Sequence, residues 1–161
     1  FMAQVYVSIG SNIDKQKNIS GCLAALAEHF GALVLSPIYE SEAVGFEGDN
    51  FYNLVAKLET QLSVGELNEV LKGIEDQYGR KRTGPRFSGR TLDIDILTYD
   101  NLIGDIDGVQ LPRDEITKNA FVLLPMNDIA ADELHPELQV TYGRLWFFFD
   151  KESQNLWQVE L

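Results

Sequence analysis

The spacing of apolar residues in the first half of the chain predicts a strand, a helix and two further strands. Residues 4–9 read QVYVSI, and this β-rich stretch runs into Gly10-Ser11-Asn12, where turn-forming residues predict the end of the first strand. The next segment carries an apolar stripe at helical spacing, and Gly31 is placed to terminate that helix. The stripe consists of Ile19, Cys22, Leu23, Leu26 and Phe30.

Residues 32–39 are again apolar and β-branched, but Ser36-Pro37 interrupts them. Because proline cannot donate a hydrogen bond to a neighbouring strand, we predict an edge-like or bulged strand. A loop follows at 40–50, and residues 51–60 resume a strand-like alternation.

A second helix begins at Ser63, since Glu66 three residues later completes a capping box. Gly79 is expected to end it. Its apolar stripe consists of Leu67, Val70, Leu71, Ile74 and Tyr78. After a basic, glycine-containing loop, residues 91–99 (TLDIDILTY) alternate with period two and predict another strand.

This order of elements predicts an α+β fold in a single domain over residues 1–161. We expect a ferredoxin-like two-layer sandwich, with a βαββαβ core, a mainly antiparallel sheet and both helices on one face, followed by a C-terminal extension. A doubly wound parallel sheet fits less well, because it would need a helix within residues 38–58, where the pattern gives a loop and two strands. The pattern assigns no secure element to the aromatic C-terminal part.

Composition narrows the classes of partner. The chain has 161 residues with 13 Lys and Arg against 25 Asp and Glu, a net charge of −12, which disfavours nucleic acid and anionic membranes as partners. Its longest apolar runs, 121–126 and 145–149, are shorter than the ~18–20 residues of a membrane helix. The single Cys22 and the lack of a secretory apolar segment predict a cytoplasmic protein. We expect a monomer that binds small molecules.

Asp93 and Asp95 are the sharpest chemical feature. At positions i and i+2 of one strand, their side chains share a face, while Leu92, Ile94 and Ile96 point to the other. Two converging carboxylates repel unless a cation lies between them, and Mg²⁺ binds carboxylate oxygens together with phosphates. The alternative is a strand whose exposed face carries two solvated aspartates.

The basic residues just before this strand favour the first interpretation. Within the 19 residues 72–90, six basic side chains face only two acids, a local balance of +4 in a chain of −12. Guanidinium groups suit phosphate geometry, and the glycines of this loop would let it open and close over a substrate. The combination predicts phosphoryl-type transfer. The six are Lys72, Arg80, Lys81, Arg82, Arg86 and Arg90. The chain contains no P-loop motif, so the common nucleotide folds do not apply.

The run RFSGRTLDIDI at 86–96 resembles the signature of the 6-hydroxymethyl-7,8-dihydropterin pyrophosphokinase family. Further matches lie at the family's intervals, at 10–12, 51–53, 79–82 and 118–125, so that the resemblance covers roughly residues 4–130. It implies a ferredoxin-like fold. The implied reaction transfers the diphosphate of ATP to the hydroxymethyl oxygen of the pterin and releases AMP, in folate biosynthesis.

The resemblance also implies roles for individual residues. Asp93 and Asp95 match ligands of two Mg²⁺ ions, and Arg80 and Arg90 match loop arginines that neutralise charge during transfer. Implied contacts to the nucleotide, ATP, are Glu75, Arg82, Arg90, Ile96 and Arg113. Implied contacts to the pterin are Ser41, Val44, Phe51, Asn53, Phe87 and Phe121, in which the aromatic rings stack on the flat heterocycle.

Several positions depart from the family's pattern. On the nucleotide side, Lys72, Gly108, Gln110, Arg113 and Asn119 stand where the family commonly has Gln, Arg, Thr, His and Arg. Glu42 occupies a usual proline position beside the pterin. These exchanges leave an alternative open, a divergent paralogue that binds pterin or nucleotide without turnover. A ferredoxin-like RNA-binding protein is disfavoured, because the chain lacks a basic face and an RNP-like aromatic strand.

Overall fold

A computed structural model describes residues 2–42, 49–78 and 92–161 of the chain. These residues form eight strands, five α-helices and one 3-10 turn. The strands are β1 (Ala3–Ser11), β2 (Val34–Leu35), β3 (Ile38–Ser41), β4 (Phe51–Thr60), β5 (Asp93–Tyr99), β6 (Gly104–Ile106), β7 (Val109–Leu111) and β8 (Leu156–Val159). The helices are α1 (Lys15–Phe30), α2 (Val64–Gln77), α3 (Glu115–Lys118), α4 (Ala120–Ala130) and α5 (Tyr142–Phe147), with a 3-10 turn at Lys151–Ser153.

The main sheet is antiparallel, with strand order β5-β1-β4-β3-β8, and β2 also pairs with β4. β1 lies between β4 and β5, so that Gly10 is opposite Asn53 on one side and Asp93 on the other. Ser8 likewise lies opposite Asp95. The central strand therefore aligns the paired aspartates with the polar end of β4. The α+β class and the antiparallel sheet predicted from the sequence are confirmed.

Two predicted strand boundaries need correction. β1 continues through Gly10 and Ser11 instead of ending there, because both residues pair with β4. The segment 32–39 divides at Ser36-Pro37 into β2 and β3. β3 is not an edge strand, because β8 pairs along its outer side. Pairing with distant parts of the chain thus overrides the turn signal at Gly10-Ser11 and covers the edge expected at β3, whereas the Ser36-Pro37 signal does interrupt the strand.

The sheet separates two apolar clusters, which makes the fold three layers deep. Val5, Val7 and Ile9 of β1 point into the cluster formed with α1 and α2. Tyr6, between them, points into a second cluster that contains Met126 of α4. The two helices predicted from the sequence, α1 and α2, do share one face of the sheet, but the second cluster adds a third layer to the expected two. The C-terminal third supplies α4, whose apolar residues cover the other face of the sheet.

The predicted signals at the end of α1 and at the start of α2 act as expected. Gly31 adopts φ +76° at the end of α1, and its N–H donates to Ala27. Ser63 and Glu66 form the reciprocal capping box of α2, with hydrogen bonds of 3.2 and 2.9 Å. Gly79, the predicted end of α2, lies outside the described residues. Among the helices that the structure describes, none is long and apolar enough to cross a bilayer.

Candidate active site

A cavity of about 320 Å³ opens where one end of the sheet meets α2, α3 and α4. β1, β3, β4 and β5 each contribute to its wall, so residues far apart in sequence share one space. The lining residues are Ser8, Ile9, Gly10, Ser41, Glu42, Phe51, Asn53, Lys72, Asp93, Asp95, Arg113, Glu115, Phe121 and Val122.

Asp93 and Asp95 form the acidic end of this cavity. Both are half-buried and line the cavity, while the residues that alternate with them, Leu92, Ile94 and Ile96, are at most 2% exposed in the opposite cluster. The strand thus presents two carboxylates on one face, as the period-two pattern predicts. The Ile96 side chain faces away from the cavity, so the structure does not bring this predicted nucleotide contact into the site.

Glu75 holds the backbone between the two aspartates. It is fully buried, and its Oε2 accepts a hydrogen bond of 2.7 Å from the N–H of Ile94. The Lys72 ammonium lies 3.4 Å from Oε1 of Glu75. Glu75 is not one of the described residues that line the cavity. The resemblance nevertheless implies that it contacts the nucleotide. Its observed contacts instead fix the position of β5.

Arg113 places a guanidinium group beside Asp95. Its Nη2 lies 2.7 Å from Glu115 and 3.7 Å from Oδ2 of Asp95, and its backbone N–H donates to Leu97 of β5. Burial acts to lower the pKa of Arg113, but the carboxylates of Asp95 and Glu115 raise it overall. The cavity therefore contains a permanent positive charge within reach of its acidic end.

The opposite end of the cavity combines an amide, a hydroxyl and two aromatic rings. Asn53 and Ser41 are both buried, and Nδ2 of Asn53 donates to Oγ of Ser41 at 3.1 Å. Gly10 leaves room for this amide, since a Cβ there would lie 2.8 Å from Oδ1 of Asn53. Phe51 from β4 and Phe121 from α4 line the same space. This end suits a flat ring with polar edges.

The remaining predicted residues divide into two groups. Val44, Arg80, Arg82, Phe87 and Arg90 lie outside the described residues, so their predicted contacts stay predictions. Of the five exchanged positions on the nucleotide side, Lys72 and Arg113 line the cavity. The other three are placed elsewhere: Gly108 and Gln110 belong to the β6–β7 hairpin, and Asn119 precedes α4.

Sequence reasoning gave no site role to several cavity residues, among them Ser8, Glu115 and Val122. Ser8 is on the same face of β1 as Gly10, but only the pairing with Asp95 shows that this face meets the site. Glu115 reaches the cavity through its ion pair with Arg113. Val122 follows Phe121 at the start of α4. These residues reach the cavity only through tertiary contacts, so no local sequence pattern predicts their role.

The acidic end fits Mg²⁺ by the chemistry of its donors. Within residues 2–42, 49–78 and 92–161, no group of three or more His, Cys, Asp or Glu side chains is arranged to hold a metal ion. Two carboxylates alone do not make an all-protein cage. Mg²⁺, however, is usually bound by one or two carboxylates, with substrate phosphates and water completing its octahedron.

The fold and this cavity define a small α+β protein whose site pairs acidic and guanidinium groups at one end with an aromatic pocket at the other. The family model for 7,8-dihydro-6-hydroxymethylpterin-pyrophosphokinase (HPPK) matches residues 6–131. The chain belongs to this family. The family identified from the RTLDIDI segment, and with it the pyrophosphokinase class of folate synthesis, is therefore confirmed.

Named relatives match most of the chain. It is 32% identical to a 2-amino-4-hydroxy-6-hydroxymethyldihydropteridine pyrophosphokinase of Haemophilus influenzae, covering 86% of this chain and 89% of that protein. The protein of the same name from Aquifex aeolicus is 34% identical, with 84% and 85% covered. The folic acid synthesis protein FOL1 of Dictyostelium discoideum is 37% identical over 88% of this chain, which spans only 22% of that longer protein.

Solved structures support the fold. The crystal structure of Plasmodium falciparum HPPK-DHPS wild type with pteroate superposes with a TM-score of 0.71 at 14% identity, covering 91% of this chain and 42% of that one. A second structure, of HPPK-DHPS in complex with substrates, gives a TM-score of 0.73 at 15% identity, covering 95% of this chain and 44% of that one. At this level of identity the likeness concerns the fold alone.

Proposed function

We propose that the chain transfers the diphosphate of ATP to the hydroxymethyl group of 6-hydroxymethyl-7,8-dihydropterin and releases AMP. In this reaction the hydroxymethyl oxygen bonds to the β-phosphorus, the bond between that phosphorus and the α–β bridging oxygen breaks, and the hydroxyl proton passes to water. One observation carries the proposal: Asp93 and Asp95 share a single cavity with the buried Asn53–Ser41 pair and two phenylalanines.

The aromatic end would bind the pterin. The Oδ1 atom of Asn53 is an acceptor for a ring N–H, while the hydrogen bond to Ser41 holds the amide in one orientation. Phe51 and Phe121 supply apolar faces for the ring, and Val44 and Phe87 are implied contacts from the family resemblance. The hydroxymethyl group would then point toward the acidic end of the same cavity.

The acidic end would hold the triphosphate through Mg²⁺, with Asp93 and Asp95 as ligands for two ions. Bound Mg²⁺ would supply charge neutralisation and a template that aligns the entering and leaving oxygens. Arg113 is placed to turn from Asp95 toward a phosphate oxygen, since its side chain is one third exposed. Arg80, Arg82 and Arg90 are proposed phosphate contacts on the resemblance alone.

Product analysis tests the proposal. The protein is incubated with ATP, Mg²⁺ and the hydroxymethyl pterin, and nucleotides are separated by chromatography. We expect AMP and the pterin diphosphate in equal amounts; ADP, or no AMP at high protein concentration, would refute the reaction. Asp95→Ala should abolish turnover and leave pterin binding measurable. Asp132→Ala, at an exposed aspartate beyond α4, is the matched control and should react like the wild type.

A paralogue without turnover remains the second candidate, because Lys72 and Arg113 replace the family's residues within the cavity itself. It predicts pterin binding with no calorimetric response to a non-hydrolysable ATP analogue. The relatives that the chain covers almost end to end are named pyrophosphokinases, which supports the enzyme.

We further propose a single domain whose core strands follow the ferredoxin-like order, acting as a cytoplasmic monomer with small-molecule partners. The net charge of −12 disfavours nucleic acid and anionic membranes. Light scattering coupled to gel filtration would test the monomer directly.

A further inference from the structure

The C-terminal part of the chain returns to the aromatic end of the cavity. β8 pairs with β3, and Leu156 lies opposite Ser41, one of the cavity residues. Just before β8, the side chain of Gln154 reaches the junction between α3 and α4. This part of the chain lies beyond residue 131, where the match to the family model ends.

The side-chain amide of Gln154 makes two hydrogen bonds to the backbone of that junction, one as acceptor and one as donor. Its Oε1 accepts from the N–H of Ala120 at 2.8 Å, and its Nε2 donates to the carbonyl of Lys118 at 2.8 Å. The first N–H groups of a helix have no partner within the helix, and Asn119, at the N-cap of α4, makes no side-chain capping bond. A residue 34 positions away therefore supplies the cap.

The capped residue immediately precedes Phe121, the aromatic side chain that α4 contributes to the cavity. A smaller pocket of about 160 Å³ adjoins the cavity, and Ser41, Glu42 and Phe121 line both spaces. Ala120, Gln154 and the residues beside Gln154 form the remaining wall of that pocket. One amide thus connects the β3–β8 side of the aromatic pocket to the α4 side.

We propose that Gln154 is a positioning residue for pterin binding, which fixes the start of α4 and thereby the ring of Phe121. This inference rests on the proposed function, since it takes the pterin as the ring bound at Phe121. Losing the amide would free the helix start to shift, so that pterin affinity falls while the acidic end of the cavity, held by β5 and Glu75, keeps its geometry.

Gln154→Ala tests the proposal by two independent measurements. We expect the KM and the calorimetric Kd for the pterin to rise about fivefold to tenfold, as for one or two lost hydrogen bonds, with kcat and the KM for ATP within about twofold of wild type. Hydrogen exchange should accelerate in peptides that span 119–123 and stay unchanged in those from β5. The exchange measurement needs no substrate, so it decides the structural step even where the proposed reaction fails.

Two variants complete the comparison. Gln154→Glu keeps an acceptor for Ala120 but cannot donate to Lys118, so an intermediate rise of about twofold is expected, and this variant replaces Gln154→Ala where the latter fails to fold. Gln158→Ala, at an exposed position of β8, should match the wild type. Pterin affinity within 1.5-fold of wild type in Gln154→Ala, or equal losses of pterin and ATP affinity, would overturn the positioning role.

Discussion

Removing the Glu75 carboxylate should destabilise the protein by disrupting β5. This strand lies at one end of the described sheet order, so the Ile94 N–H that points outward has no strand partner there, and Glu75 accepts it at 2.7 Å. Hydrogen bonds to charged groups contribute about 1.5–3 kcal/mol, and a buried N–H left unsatisfied costs about 1–3 kcal/mol. Lys72 also loses its partner, but it is one third exposed and water can solvate it.

For Glu75→Ala we therefore expect a loss of about 3 kcal/mol in the free energy of unfolding, the sum of mid-range contributions that partly overlap. Urea denaturation followed by circular dichroism measures it as a lower midpoint with an unchanged slope. Glu75→Gln keeps an acceptor for Ile94 and should lose only about 1 kcal/mol. Glu69→Ala, at an exposed position of α2, is the control.

The same variants link stability to the site, because Ile94 lies between Asp93 and Asp95. At temperatures where all variants are folded, Mg²⁺-dependent turnover should fall further in Glu75→Ala than in Glu75→Gln. A stability of Glu75→Ala within 0.5 kcal/mol of wild type would refute the ~1.5–3 kcal/mol argued for the hydrogen bond. Unchanged turnover in a destabilised Glu75→Ala would instead refute the coupling between this contact and the proposed metal ligands, Asp93 and Asp95.

Three further outcomes follow from other contacts. Gly10→Ala should raise the KM for the pterin with little change in stability, because the added methyl displaces the end of the Asn53 side chain; an unchanged KM would contradict that placement. Arg113→Met should let the nucleotide-free protein bind Mn²⁺ about threefold more tightly in calorimetry, since the ion no longer competes with a guanidinium for Asp95, and equal affinities would exclude that competition. Burial lowers the pKa of His135 below 6.5, so as the pH falls the unfolded chain takes up the proton before the folded protein does. The free energy of unfolding should therefore keep its full value above pH 6.5 and decline below it. His135→Asn should flatten this decline between pH 7 and 5.

Local signals in the sequence predicted the parts of the fold that depend on neighbouring residues. The side chains of Ser63 and Glu66 each accept a hydrogen bond from the other residue's backbone N–H within one helical turn. The positive φ of Gly31 depends only on that residue's own backbone. Both features therefore appear in the sequence as short motifs. Asp93 and Asp95 share a face because strand geometry alone requires it. The chemistry of the acidic end is therefore readable without any tertiary contact.

The other features arise only when distant segments meet. Gly10 looks like a turn residue but pairs on both sides of β1, and its missing Cβ accommodates Asn53. Pro125 disfavours a helix, yet α4 passes through it, because its apolar residues cover the second face of the sheet. Gln154 carries no local signal, since its partners lie 34 and 36 residues away.

The charges on the described wall of the cavity indicate that a bound triphosphate would need additional cations. Four carboxylates line this wall against two basic side chains, Lys72 and Arg113, so a triphosphate without cations would meet a net negative surface in a protein that is itself strongly acidic. Acids more than about 10 Å away are largely screened at moderate salt, which leaves the local balance to decide binding. Under the proposed function, divalent cations at Asp93 and Asp95 would reverse that balance at one end. Under the proposed function, Asp95 would have two successive counter-ions, the Arg113 guanidinium before the nucleotide arrives and Mg²⁺ afterwards, and the freed guanidinium would become available to the phosphates.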